Sequence, residues 1–368
     1  MYIHKKTPVF TCISLYIAII FLLIVVGTIF IYSASSVYAL EKLGSGHYFV
    51  KKHMFGIMLG IASLLITIHI PLKFIRKIIP TIFITTLCMT AMTLIPLFSR
   101  TIHGSSRWLN LGIVVFQPSE LLKYAFIVYL AHFFAKKNKR TTELSVYMPF
   151  LSILAITGFI LLLQPDFGMT VTLCLTGIML AFIAGVQTKH LIRTLLALMP
   201  IALLLVYLKP YRIKRVLTFL NPWADPQGSG FQIIQSFIAI GSGNICGVGI
   251  GQSKQKFFYL PMQHTDFIFS IIAEETGFIG ATIVILLFTF FLYTGLRLAF
   301  LQDDLFGRYV ICGFVILLSL QALINIAVAT GLVPTKGIGL PFISYGNSSL
   351  VTTLAMIGLI INITKKQN

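Results

Sequence analysis

Acidic residues are scarce in this chain. Ten aspartates and glutamates stand against 28 lysines and arginines in 368 residues, and charged residues of both signs make up only 10%. A soluble domain carries about 25%, so this balance excludes an ordinary water-soluble globule. Cysteine is too sparse and too scattered for a disulfide framework. Cys12, Cys88, Cys174 and Cys312 lie inside apolar runs, only Cys246 lies in a connection, and no pair has metal-ligand spacing. Walker-type phosphate loops, HExxH and nucleophile elbows are missing, which excludes the chemistries built on those devices. Gly247-Val248-Gly249-Ile250-Gly251 lacks the strand–turn–helix setting of a dinucleotide loop.

What the chain has in excess is hydrocarbon. It is 57% hydrophobic, and apolar runs of about 18 residues or more recur along it, the signature of membrane-spanning helices. The net charge of +18 raises the question of nucleic acid. The basic residues, however, fall in short clusters between apolar runs, where topology signals belong, so no nucleic-acid partner is expected.

The pattern predicts an all-α polytopic membrane protein with about ten transmembrane helices, near 9–32, 50–70, 78–98, 118–135, 147–163, 169–186, 191–208, 270–299, 309–330 and 347–363. The first run, after Lys5 and Lys6, exceeds the roughly 7–15 residues of a signal-peptide core. An uncleaved first helix is therefore expected despite Ser33-Ala34-Ser35. Lys73, Arg76, Lys77, Lys136, Lys137, Lys139, Arg140, Lys189, Arg193, Arg297, Arg308, Lys365 and Lys366 fall on alternate connections. The positive-inside rule then puts both termini in the cytoplasm of a plasma-membrane protein. The chain reads as a single domain over 1–368, with 209–269 as a large extracytoplasmic loop between helices 7 and 8. Gly56 and Gly60 form a GxxxG pair suited to close helix packing.

With so few acids, each can be weighed. Glu41, Glu143, Asp303 and Asp304 fall in connections and read as solvated. Glu120 and Lys123 open the fourth helix after Gln117-Pro118-Ser119. Three residues apart, they face one another as an ion pair, either as a structural element or as the lining of a polar cavity. Asp166, in the turn Gln164-Pro165-Asp166-Phe167-Gly168, is suited to cap the sixth helix or to serve a site. Arg100, Arg107 and Trp108 precede the fourth helix. Trp108 fits an interfacial anchor, and Arg107 is suited to bidentate phosphate binding.

Asp266, between His264-Thr265 and Phe267-Ile268-Phe269, stands where water gives way to membrane. It is either the cap of the next helix or a partly desolvated carboxylate able to act as general base. Glu274 and Glu275 enter that helix together, which is costly unless one faces a cavity or meets a basic residue. Lys209, Arg212, Lys214, Arg215, Lys254 and Lys256 of the same segment form either a headgroup patch or pre-placed cations for an anionic leaving group.

These residues fall into a familiar order. Gly104-Ser105-Ser106-Arg107-Trp108-Leu109, Gln117-Pro118-Ser119-Glu120-Leu121-Leu122-Lys123, Gln164-Pro165-Asp166-Phe167-Gly168, Gly228-Ser229-Gly230-Phe231-Gln232, the run from Ser236 to Gly243, His264-Thr265-Asp266-Phe267-Ile268-Phe269 with Glu274-Glu275, and the run from Leu340 to Gly346 together resemble the SEDS family (shape, elongation, division and sporulation proteins). Asn221-Pro222-Trp223-Ala224-Asp225-Pro226 and Val333-Pro334-Thr335-Lys336-Gly337 are similar to the division-type (FtsW) branch rather than the elongation-type (RodA) branch.

The resemblance implies the SEDS ten-helix fold and a peptidoglycan glycosyltransferase that polymerises lipid II into a growing glycan strand at the division septum. It also implies partnership with a class B penicillin-binding protein transpeptidase and other divisome proteins. It assigns the essential aspartate to Asp266. Substrate contacts are expected at Arg107, Trp108, Glu120, Lys123, Asp166, Lys254, Lys256, His264, Glu274 and Glu275, with a divalent cation (Mg or Mn) as a conceivable helper. The chain departs from the family pattern at Met262 and Gln263, where Glu commonly follows the proline, and at Asn347, where a second glycine is usual. Two other functions are compatible with the same residues: a flippase for the lipid-linked precursor, and a non-catalytic division scaffold.

Overall fold

In hydrocarbon the backbone must satisfy its own hydrogen bonds, and helices do so within one segment. The computed structural model describes residues 3–102, 105–110, 115–141, 143–256 and 263–365. Its helices are α1 (Ile3–Leu43), α2 (Tyr48–His69), α3 (Leu72–Met92), α4 (Pro118–Lys136), α5 (Leu144–Leu163), α6 (Phe167–Ile183), α7 (Thr188–Tyr207), α8 (Pro210–Leu220), α9 (Phe231–Ser242), α10 (Ile268–Phe300), α11 (Leu305–Ala329) and α12 (Asn347–Lys365). Eight of these (α1, α2, α3, α5, α7, α10, α11 and α12) are long and apolar enough to cross a membrane. The other two expected spans are helical as well: α6 has 17 residues, and α4 carries Glu120 and Lys123 in its first turns. The protein is a polytopic α-helical membrane protein.

Burial orders the bundle. In their most apolar stretches α11 and α12 are 67% and 72% buried, against 11% for α7, so α11 and α12 form the centre and α7 a lipid-facing flank. The core gathers Phe126, Phe134, Phe150, Phe291 and Phe314 from α4, α5, α10 and α11. Large side chains such as Phe21, Ile66, Leu196 and Phe278 stay exposed, as suits a hydrocarbon solvent.

Helix α2 lies on α12 through small residues. A methyl group on Gly60 would meet Leu354 Cδ1 at 2.4 Å, and one on Gly358 would meet the backbone oxygen of Leu64 at 2.4 Å. Ser63 and Thr67 donate across this contact to the carbonyls of Val351 and Ala355, each at 3.0 Å. The GxxxG pair thus does the close packing expected of it.

Several boundaries differ from the sequence expectation. The third span, expected at 78–98, is Leu72–Met92: it starts directly after Pro71, so Lys73, Arg76 and Lys77 ride on its first turns. Arg76 there ion-pairs with Asp304, which also caps α11 by accepting from Gly307 N–H at 3.1 Å. The α3–α4 connection folds into a three-stranded antiparallel sheet, β1 (Ser99–Ile102), β2 (Ser105–Asn110) and β3 (Val115–Phe116), in the order β1-β2-β3. No apolar alternation announced these short strands. The segment 209–269 is not one loop, for it contains α8, which starts at Pro210, α9, and the first residues of α10. Ser33-Ala34-Ser35 lies within α1 and is buried.

Helix α10 breaks at Gly277, whose φ of 66° and ψ of −164° are non-helical. The groups freed there are taken up by the connection after α9. Val248 and Gly249 donate to the carbonyls of Glu274 and Glu275 at 3.0 and 3.1 Å, and Phe278 and Ile279 donate to those of Asn244 and Ile245 at 2.9 and 3.2 Å. A methyl on Gly277 would meet Gly247 N at 2.3 Å, so a side chain is excluded by space as well as by φ.

Candidate active site

The β-sheet, the α4 N-terminus, the α5–α6 turn, α8, the start of α10 and the α11–α12 connection meet at one end of the bundle. They enclose a cavity of about 790 Å³. Five basic side chains (Arg107, Lys123, Lys214, Arg215 and Lys336) and three acidic ones (Glu120, Asp166 and Asp266) line it.

Lys123 Nζ and Glu120 Oε2 are 2.7 Å apart and both side chains are buried. Both readings of this pair therefore hold: it is an ion pair one helical turn long, and it lines the cavity floor. Asp166 likewise does two things. It caps α6 by accepting from Met169 N–H at 3.1 Å, and its other oxygen lies 3.3 Å from Arg107 Nη1. Burial raises its pKa, and Arg107 only partly opposes this. Arg107 also donates to the carbonyls of Gln164 at 3.2 Å and Pro165 at 2.7 Å, tying β2 to the α5–α6 turn. Trp108 lines the same cavity.

Asp266 does not cap α10. That position belongs to Phe267, with no side-chain cap. Among the described residues the Asp266 carboxylate makes neither a hydrogen bond nor an ion pair. It lies against Gly337, where a methyl would meet its Oδ2 at 3.3 Å. Burial raises its pKa to about 6, against the lowering influence of Arg215.

Its backbone is held from three directions. Asn325 Nδ2 of α11 donates to the carbonyls of Asp266 at 2.8 Å and Ile338 at 2.7 Å. Ser344 Oγ donates to Thr265 O at 2.5 Å, and Tyr345 N–H to His264 O at 3.0 Å. The connection 336–346 is thus a strap that fixes the Asp266 segment. Sequence reading missed Asn325, although an amide inside an apolar helix was a visible signal.

The remaining expected contacts are placed elsewhere. His264 packs among Phe49, Tyr38 and Tyr345, with ring centroids at 4.5, 6.2 and 5.9 Å. Burial lowers its pKa to about 4, so it is a neutral aromatic wedge at neutral pH.

Glu274 and Glu275 do not line the cavity. Glu275 accepts from Ser33 Oγ at 2.6 Å and from Ser253 N–H at 3.4 Å, and pairs with Lys256 Nζ at 3.7 Å. Glu274 accepts from Lys254 N–H at 2.9 Å and from Ser253 Oγ. The two carboxylates pin the chain ahead of the Asp266 segment to α10, and Lys256 is the basic partner that the adjacent pair required. Lys254 contributes its backbone to this clamp. Met262 and the Arg100 side chain lie outside the described residues.

Among the described residues no three His, Cys, Asp or Glu side chains are grouped to hold a metal ion. The side chain whose charge bears on Asp266 is the cation Arg215, an unsuitable companion for a divalent metal that wants several oxygen donors. The donor set does not fit such an ion.

The fold and site thus define a multi-pass membrane protein with a charged cavity at one end of its bundle, lined by a half-buried carboxylate, Asp266, that has no ion pair among the described residues. The chain matches, over residues 13–368, the family model described as a cell cycle protein and covering FtsW, RodA and SpoVE. It belongs to that family. It is 40% identical over 341 residues to the probable peptidoglycan glycosyltransferase FtsW of Geobacter sulfurreducens, covering 92% of this chain and 91% of that one. It is 39% identical over 352 residues to stage V sporulation protein E of Bacillus subtilis, covering 95% and 96%. A solved chain from a peptidoglycan synthase complex, described as coordinating polymerization and crosslinking, superposes with a TM-score of 0.79 at 29% identity, covering 97% of this chain and 98% of that one.

Proposed function

We propose that this chain is a peptidoglycan glycosyltransferase that polymerises lipid II at the outer face of the plasma membrane during septal wall synthesis. One observation carries the reading. Asp266 is a half-buried carboxylate that has no ion pair among the described residues and a pKa raised to about 6, set in a cavity where five cations outnumber the acids. That is the environment a general base beside an anionic leaving group needs. The relatives named as probable peptidoglycan glycosyltransferases support the activity and the division branch.

In this mechanism Asp266 takes the proton from the acceptor sugar hydroxyl. The hydroxyl oxygen attacks the anomeric carbon of the donor from the face opposite its diphosphate. The carbon–oxygen bond breaks with inversion, and its electron pair leaves on the polyprenyl diphosphate. Arg107, Lys214 and Arg215, which line the cavity, neutralise that charge, so a second carboxylic acid is not required as it is in glycoside hydrolysis. Glu120 and Lys123 orient the bound sugar. Glu274, Glu275 and Lys256 support the site by holding its preceding segment.

At the end of the bundle away from the cavity lie the Arg76–Asp304 pair and the last turns of α12, where Asn362 donates to the Thr67 and Ile70 carbonyls. The early turns of α1 lie there as well, with Cys12 meeting the Thr294 carbonyl near the end of α10. By the positive-inside rule this supports an outward-facing cavity and cytoplasmic termini. The likeness to a chain of a synthase complex supports partnership with a class B penicillin-binding protein transpeptidase.

The test is polymerisation of labelled lipid II by the purified chain with its cognate partner, the transpeptidase blocked by a β-lactam. Wild type should give a glycan ladder, and Asp266→Ala should lose it by a factor on the order of 10²–10⁴. A normal ladder from a folded Asp266→Ala protein would overturn the reading.

A further inference from the structure

The charged lining of the cavity suits an anion, but a sugar ring is neutral and is read by neutral donors and acceptors. Three carboxamides line the cavity: Gln117, Gln232 and Gln321. Gln117 Nε2 donates to Ser119 Oγ at 3.1 Å, and Gln232 is half-buried at the start of α9. Gln321 is different. It lies in the apolar helix α11, is only 6% exposed, and its amide makes no hydrogen bond among the described residues.

Three other buried amides are bonded across to neighbouring segments. Asn362 donates to the carbonyls of Thr67 at 2.9 Å and Ile70 at 2.7 Å, and Gln164 donates to Thr90 O at 2.7 Å. Asn325, one turn from Gln321 on α11, holds the Asp266 and Ile338 carbonyls. An amide that merely joined helices would do the same. A buried amide left without a partner is costly, and one that opens into a cavity has its partner there.

Position and chemistry together define that partner. Four residues apart, Gln321 and Asn325 share a face of α11. Asn325 holds the backbone of Asp266, so Gln321 lies about 6 Å further along the helix axis towards the interior. That is about the reach across one hexose ring, from a hydroxyl at Asp266 to a substituent on the far side. A carboxamide both donates and accepts, and the sugar substituent with a matching N–H and carbonyl is an acetamido group.

We propose that Gln321 recognises the acetamido group of the acceptor sugar, Nε2 donating to its carbonyl and Oε1 accepting from its N–H, and thereby selects 2-acetamido sugars over hexoses with a hydroxyl at that carbon. The sugar's role as acceptor rests on the function proposed above; the binding of an acetamido sugar beside Asp266 does not. Gln321 takes no part in proton transfer. It fixes the ring whose hydroxyl is presented to Asp266.

The first test compares polymerisation of lipid II with that of a synthetic analogue whose terminal sugar carries a hydroxyl in place of the acetamido group, using the full-length chain with its partner. In wild type the analogue should be poorer in kcat/KM by about tenfold or more. Gln321→Met, which keeps the length of the side chain, should weaken lipid II by a similar factor and bring the two substrates within about threefold of each other. Gln321→Leu repeats the comparison in a second packing. A loss shared equally by both substrates in the folded variants, with their ratio unchanged, is what a merely structural role gives and would overturn the proposal. The second test needs no turnover: saturation-transfer NMR on the same complex with N,N′-diacetylchitobiose and cellobiose as probes. Wild type should transfer magnetisation to the acetamido methyl protons, Gln321→Met should lose most of that transfer, and cellobiose should show little in either. Equal transfer in wild type and variant would also overturn the proposal. Transfer that depends on Gln321, in a complex that makes no polymer from lipid II, would keep the recognition site and dismiss the proposed function.

Discussion

Asp266 draws its reactivity from what surrounds it. A carboxylate in water titrates near 4; here burial moves it to about 6, where it is charged at neutral pH yet basic enough to take a proton. The sequence singled it out because an acid at the edge of an apolar helix has few bland explanations. Glu120 and Lys123 were legible for the same reason. Lys254, Glu274 and Glu275 were legible as unusual but not in role, because their partners come from α1 and the connection after α9, and long-range pairing leaves no local trace.

Asn325 is the clearest omission. Its amide joins the Asp266 and Ile338 carbonyls, so it acts on the base through the backbone. Asn325→Ala leaves two carbonyls without that donor, at a cost of roughly 1–3 kcal/mol each where buried. We expect kcat to fall by about tenfold or more while KM for lipid II changes little, since the substrate-lining side chains remain. Steady-state kinetics on a protein with an intact melting transition checks this, and a pure KM effect would contradict it.

At the scale of elements, the spans were legible wherever hydrophobicity alone set them. The exceptions have physical causes. Pro71 and the turns after Met92 moved α3 towards the basic cluster. The β1–β3 sheet is too short and polar for periodicity to reveal. The bend at Gly277 depends on an outside segment to satisfy its backbone.

The α2–α12 contact allows a sharp comparison. Gly60→Ala meets the movable end of Leu354, whereas Gly358→Ala meets the Leu64 backbone and Thr67 Oγ1. Gly358→Ala should cost about 1–3 kcal/mol by overpacking, and Gly60→Ala clearly less. Thermal unfolding in detergent ranks them. The tighter site should also lose activity, because α12 begins right after the strap that holds Thr265 and Asp266. Equal losses would show that the backbone contact is not limiting.

For the whole molecule, the polytopic helical architecture, with eight of its helices long and apolar enough to cross a membrane, followed from hydropathy. What composition could not show is the partition of one end of the bundle into two chambers, the cavity at Asp266 and a smaller one between α8 and the α11–α12 connection. Arg212 and Arg215 lie together on α8, Arg215 donates to the carbonyl of Thr335, 120 residues further on, and only the fold brings Lys336 to the same chamber.

The central claim is that the half-buried carboxylate of Asp266 is the base for glycan polymerisation. The most direct measurement is the pH dependence of single-turnover lipid II polymerisation by the complex, in wild type and Arg215→Gln. Burial raises the Asp266 pKa and Arg215 lowers it, and only the deprotonated form accepts a proton. Activity should therefore rise with pH through about 6, fall by roughly tenfold one unit below that point, and show its limb at higher pH once Arg215 is removed. A flat profile between pH 5 and 7, or a limb that Arg215→Gln leaves in place, would contradict the account.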